Sequence, residues 1–291
     1  MKTWKWGAAG LGAALGLAAI AAGYQIIEAR SEVLLEARHV RPPVSLRAAT
    51  TADDIVAGRR LVVVTGCTFC HGDGLTGPSP GPASSLLSPN LTLVVAQRSD
   101  ADLDRAIRWG LNADGSSELA MPSYAYRWFN DQETSQIIGY LRSLPPRGAA
   151  SHPPRPGFLT RLSLVLGRFK TEAEQLAEAR PPLEVGPQFE SGRRLTALAC
   201  GQCHGADLAG GPGLPGPDLT VRDYFDRAQF HRLMRTGEMP QNVHSELMQE
   251  VARKSLSQFT TDQVDEIYDY LKARDARLAA SAPHDKTGSG G

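Results

Sequence analysis

The runs Gly66-Cys67-Thr68-Phe69-Cys70-His71-Gly72 and Ala199-Cys200-Gly201-Gln202-Cys203-His204-Gly205 are one pattern written twice. Each is C-x-x-C-H, the spacing at which a c-type haem is attached. Cysteines three apart share one face of a helical turn, so both thiols reach the two vinyl groups of one porphyrin. The next residue, His71 or His204, then turns its imidazole towards the iron. The same spacing suits a thioredoxin-like redox pair, half a zinc site or a local disulfide. Two copies, each carrying the His and continuing as His-Gly, favour haem over those readings. The chain has four cysteines, all taken up by the two motifs, so no disulfide framework remains.

Working outward from the motifs, the flanks repeat as well. Before the first lies Thr51-Ala52-Asp53-Asp54, a Thr-led helix start with acids in its first turn, then Ile55, Gly58-Arg59-Arg60-Leu61 and Val62-Val63-Val64. Before the second lie Phe189 and Gly192-Arg193-Arg194-Leu195. Gly58 stands nine residues before its first Cys and Gly192 eight, so the copies differ by one residue. A Gly/Pro loop follows each motif and ends in Pro89-Asn90-Leu91-Thr92 or Pro217-Asp218-Leu219-Thr220. A proline carbonyl there can accept from the proximal imidazole, although a plain turn proline fits equally well. A short middle helix is expected over Leu103 to Trp109 and Phe230 to Thr236, closed by Gly110 and Gly237. The closing helices open on Asn130-Asp131-Gln132-Glu133 and Thr260-Thr261-Asp262-Gln263. They bury Ile137, Ile138, Leu141 and Leu144 in one copy, and Val264, Ile267, Tyr268 and Leu271 in the other. Three helices around a haem in each repeat make the fold class all-α.

From Trp6 to Ile27 there are 22 residues without a charge. As a helix they would span roughly 33 Å, enough for the hydrocarbon core of a bilayer. Lys2 and Lys5 precede the run and set the N-terminus in the cytoplasm, with Trp4, Trp6 and Tyr24 at interfacial positions. A cleaved signal peptide is the rival reading, since Ala19-Ile20-Ala21 suits a cleavage site. The run continues through Tyr24-Gln25-Ile26-Ile27, which favours a retained anchor. The expected organisation is a transmembrane signal-anchor over 1–27, a stalk over 28–50 and a first haem domain over 51–146. A linker over 147–187, a second haem domain over 188–275 and a disordered tail over 276–291 complete it. Within the linker, residues 158–170 are apolar with basic punctuation and too short to span a membrane. They are expected to pack within the chain or against a partner.

Lysine plus arginine equal aspartate plus glutamate at 31 each, so no basic surface for nucleic acid is implied. Near-neutrality also implies weak long-range steering, so electron exchange would rely on a fixed complex or on co-localisation at a membrane. Aromatic residues are only 7%, as expected where porphyrins supply apolar bulk.

With motifs, loops and closing helices in place, residues 1 to about 274 resemble membrane-anchored diheme c-type cytochromes, which are tandem class I cytochrome c domains behind one N-terminal helix. The resemblance implies two covalently bound haems c, on Cys67 and Cys70 and on Cys200 and Cys203, with His71 and His204 on the irons. It implies an electron carrier rather than an enzyme, held at the cell (inner) membrane with its haem domains on the periplasmic side. Its partners would be redox proteins: a membrane dehydrogenase, a quinol-oxidising or photosynthetic complex, and a high-potential acceptor. A diheme peroxidase is the alternative, and would need one iron with an open distal position.

The resemblance further implies a methionine as distal ligand of each iron. Between Pro43 and Arg147 the only methionine is Met121. The second repeat offers Met234, Met239 and Met248, besides His231 and His244. Met121 lies 11 residues after Gly110 and Met248 lies 11 after Gly237, each reached through Ser-Glu-Leu. Met248 is therefore the expected ligand, Met239 the runner-up despite its Met-Pro likeness to Met121-Pro122, and Met234 core.

Overall fold

The computed structural model describes residues 2–77, 88–150, 156–211, 216–221 and 224–281, with side chains from Ala14 onward. In chain order the helices are α1 (Lys2–Leu35), α2 (Ala52–Val64), α3 (Cys67–His71), α4 (Leu91–Val94) and α5 (Asp100–Trp109). Then come α6 (Ser123–Tyr126), α7 (Asp131–Ser143), α8 (Phe158–Val165) and α9 (Glu172–Glu178). The second half holds α10 (Glu190–His204), α11 (Arg227–Thr236), α12 (Glu246–Lys254) and α13 (Thr261–Ser281). Among the described residues there is no β-strand, only two isolated bridges.

In each repeat the helix leading into the haem motif crosses the closing helix at a glycine. A Cβ on Gly58 would stand 2.0 Å from the Gln136 carbonyl oxygen, and one on Gly192 2.0 Å from that of Glu266. Gln136 follows Phe129 by seven positions and Glu266 follows Phe259 by seven, so the two crossings are equivalent. Only a residue without Cβ lets the backbones approach so closely. The expected helix starts are built as the sequence implies. The Thr51 side chain accepts from the Asp54 N–H, and Asn130 with Glu133 forms a complete capping box. The middle helices end on left-handed Gly110 and Gly237.

The one-residue difference between the copies has a visible consequence. In the second repeat α10 runs unbroken through its haem motif to His204. In the first, α2 stops at Val64, Gly66 takes a left-handed φ of 74°, and α3 restarts at Cys67. The extra residue is absorbed at a glycine, where that conformation costs least.

Three details add to the expected organisation. The stalk stretch is tied to the first repeat. Arg41 pairs with Asp102, Arg105 donates to the Pro42 carbonyl, and Ala49 N–H bonds to Ser135. Helix α13 continues to Ser281, six residues past the expected domain end at 275, and residues 282–291 of the expected tail lie outside the described residues. The linker holds a second helix, α9, besides the apolar segment, which packs within the chain as expected. Helix α8 lies on α1, with Phe158 stacked on Tyr24 and Arg161 paired with Glu28 and Glu32.

Helix α1 takes in the whole uncharged run. Among the described residues no helix is long and apolar enough to cross a membrane, and the side chains of the run before Ala14 lie outside that description.

Candidate haem sites

Each motif presents its two cysteines and its His from consecutive turns of helix. Cys67 is half-buried and Cys70 exposed, while Cys200 and Cys203 are half-buried, and no disulfide joins any of the four. Burial pushes the Cys67 thiol up to about 11 and the Cys200 thiol up to about 12. Those thiols are protonated at neutral pH, unlike the low-pKa thiolate of a redox-active C-x-x-C. Among the described residues, no three His, Cys, Asp or Glu side chains converge as a zinc site requires.

The His rings are fixed as a haem ligand requires. His71 Nδ1 stands 2.9 Å from the Pro89 carbonyl oxygen, and His204 Nδ1 stands 2.7 Å from that of Pro217. A carbonyl only accepts, so Nδ1 carries the proton in both and Nε2 keeps its lone pair. Burial pushes both imidazole pKa values down, against the opposing pull of these hydrogen bonds. At Gly216, beside the second ring, a Cβ would stand 2.7 Å from His204 Nδ1. The backbone is therefore tailored to the ring.

The proline loops are themselves anchored. Asn90 donates to the carbonyls of Arg147 and Ala149 at 2.8 and 3.1 Å. In the second repeat the buried Arg274 donates to the carbonyls of Leu219 and Leu208 and pairs with Asp218, next to Pro217. The neighbouring Asp275 accepts from Val221 N–H at 2.9 Å. The end of α13 thus holds the loop that orients His204.

Met121 is half-buried against the first core, and Met239 and Met248 are half-buried against the second. Met234 is buried in the core, as expected for a packing residue. Burial does not separate Met239 from Met248. A Cβ on Gly110 would meet Ser123, two residues after Met121, and one on Gly237 would meet Gln249, the residue after Met248. In each repeat the glycine cap thus lies beside the segment that follows one methionine, with Glu172 Cβ also 2.7 Å from a Cβ on Gly110.

The sites also hold features that the sequence reading missed. Tyr124, Tyr126, Thr65 and Gln202 join the two motifs directly, and no spacing signal marks them. Helix α9 was missed too, although Thr171 and Glu174 form a capping box visible in sequence. Its Glu172 is buried and accepts from the Ser123 N–H at 3.2 Å, two residues after Met121.

The residues fit a haem c in each repeat. Cys67 and Cys70, or Cys200 and Cys203, would form the thioethers, His71 or His204 would supply the proximal nitrogen, and a methionine sulfur lies available in the same repeat.

Comparison with known proteins agrees repeat by repeat. Residues 55–145 match the family model for cytochrome c, and residues 187–271 match that for cytochrome c oxidase, cbb3-type, subunit III. The chain is 26% identical over 199 residues to a protein of Cereibacter sphaeroides described as "Diheme cytochrome c-type". That match covers 56% of this chain and 66% of the relative.

Proposed function

From the premise that this chain is a diheme c-type cytochrome with two covalently bound haems c, we propose that it carries electrons between protein partners and catalyses no reaction on a small substrate. Each haem, when bound, supplies a one-electron couple at its iron. The chain's own residues do the rest. The Pro89 and Pro217 carbonyls hold the Nδ1 protons, which orients each imidazole and raises its basicity. Met121 and Met248 would supply a thioether sulfur to each iron, which would exclude an exogenous ligand and favour a high potential.

The observation that carries this reading is the parity of the two repeats. Each has its own carbonyl-tethered His and its own half-buried methionine following the same glycine cap. A peroxidase would need one of the two sites built differently, with room for peroxide and an acid–base group.

The partners that fit are a membrane dehydrogenase or a quinol-oxidising or photosynthetic complex as donor, and a high-potential acceptor. We place the haem domains on the periplasmic side of the inner membrane, tethered by the uncharged run Trp6 to Ile27 within α1. Lys2 and Lys5 on its N-terminal flank support that orientation. Exposed Cys70 and Phe69 leave one edge of the first site open to a docking partner.

Optical titration of the holoprotein tests the carrier reading. The Met–Fe(III) band should account for two haems and stay unchanged under carbon monoxide or peroxide. A five-coordinate or carbon monoxide-binding haem would transfer the case to the enzyme reading. Intact mass of the membrane fraction tests the tether, and a mature N-terminus near Ala22 would leave a soluble carrier.

A further inference from the structure

The two haem-attachment segments touch each other. Gln202 lies inside the second motif, and its side-chain Nε2 donates to the Thr65 carbonyl at 2.8 Å, two residues before Cys67. The Tyr126 hydroxyl donates to the same carbonyl at 3.0 Å and lies 3.5 Å from Gln202 Oε1. The Tyr124 hydroxyl donates to the backbone carbonyl of Gln202 at 3.3 Å. Left-handed Gly66 makes room for this amide, since a Cβ there would stand 3.0 Å from Gln202 Nε2. Next to Gln202, a Cβ on Gly201 would lie 3.4 Å from that of Ala125, so α10 and α6 meet in van der Waals contact.

We propose that Gln202 is the positioning residue for electron exchange between the two haems, its amide bridging the Thr65 carbonyl and the Tyr126 hydroxyl to fix the gap between the attachment segments. The inference rests on the electron-carrier reading above and extends it. Thioethers bolt each porphyrin to its own segment, so the clamp on the segments is a clamp on the pair. Electron tunnelling falls steeply with distance, so a gap that fluctuates loses rate without any change in ligation. The step moves one electron, oxidising one iron as the other is reduced, with no bond or proton changing hands. The half-buried Gln202 amide, donating to the Thr65 carbonyl beside the buried Tyr126 hydroxyl, resists sliding, because release would leave polar groups unpaired. Two polar contacts between the repeats lie further from the motifs. Arg60 donates to the Gln258 carbonyl at 2.8 Å, and Arg194 pairs with Glu133 at 2.7 Å.

Pulse radiolysis of the fully oxidised two-haem protein tests the proposal. After electron capture, redistribution between the haems is a first-order phase whose rate does not depend on protein concentration. Gln202→Leu should slow that phase several-fold while haem content and the Met–Fe(III) band stay as in the parent. Tyr126→Phe should slow it less, and Arg60→Gln, which removes an interface contact away from the motifs, should leave it unchanged. An unchanged rate in Gln202→Leu overturns the proposal, as does equal slowing in Arg60→Gln, which would make Gln202 one interface contact among many. Should Gln202→Leu fail to assemble, Tyr126→Phe decides alone, a slowed phase supporting the clamp and an unchanged one overturning it. A parent protein with no concentration-independent phase would overturn the proposal together with the reading of the pair as an electron-sharing unit. A parent that shows the phase and a Gln202→Leu variant that keeps it would overturn the clamp alone.

Discussion

Val64 of the first repeat is buried in the core of the second, and Leu198 of the second is buried in the core of the first. Both lie just upstream of a haem motif, three residues before Cys67 and two before Cys200. The repeats therefore exchange one apolar side chain each at the place where their cofactors attach. Around that exchange, Arg193 stacks over Trp128 at 4.9 Å and Arg194 pairs with Glu133.

Interlocked cores should unfold together. Leu198→Ala removes a side chain only 3% exposed and should cost roughly 2–5 kcal/mol. The loss should register in the first repeat, although Leu198 belongs to the second in sequence. Denaturation followed separately at tryptophan and in the Soret region should show one coincident transition at lower denaturant. A variant in which only the second haem's environment melts early would contradict the interlock.

Much of this was legible in sequence because it rests on local chemistry. The haem motifs, the capping boxes at Asn130 and Thr260, and the glycine ends at 110 and 237 are fixed by residues a few positions apart. The loop prolines were legible only in part: each opens a Pro-Asn/Asp-Leu-Thr run, a plain turn fitted equally well, and the fold sets both carbonyls on the His rings. The exchange of Val64 and Leu198 was not legible, because periodicity marks a residue as apolar without naming the core it enters. Glu172 was hidden for a similar reason. An acid in the first turn of a seven-residue helix reads as solvated, and only the packing of α9 on the Met121 loop removes it from water. The nine-residue α12, capped by Ser245, was read as part of a ligand loop because its apolar face is short.

Glu172 gives the fold a pH dependence. Burial is the main cause that pushes its carboxyl from an ordinary 4.5 up to about 8, and Glu118 adds to the rise while the Ser123 N–H opposes it. Between those values the folded chain keeps a proton that the unfolded chain has lost. The contribution is therefore largest below the unfolded value and declines as pH rises through about 8. The slope approaches about 1 kcal/mol per pH unit inside that window. Glu172→Gln should remove this slope and make the protein more stable than the parent at pH 8. Chemical denaturation at several pH values checks it, and a variant with the parent's slope would assign the dependence to other groups.

The second repeat's distal ligand is the sharpest test of how far the two halves share one plan. Met239 and Met248 are both half-buried against the same core, so exposure leaves the choice open. We propose Met248 from its position. Met239 stands two residues past Gly237, and its counterpart two residues past Gly110 is Asn112, whose N–H bonds to the Ser116 carbonyl at 2.8 Å in a tight turn. Met248 stands in the first turn of α12, directly before Gln249, whose carbonyl approaches the Gly237 cap. In the first repeat the cap approaches Ser123, directly after Met121-Pro122. Met248→Ala should therefore lower the second haem's potential and open that iron to carbon monoxide, while Met239→Ala should keep the spectrum of the parent. Carbon monoxide difference spectra of the two reduced variants read the result directly. Carbon monoxide binding by Met239→Ala, and none by Met248→Ala, would mean that the second repeat brings its ligand from the start of the loop rather than from α12.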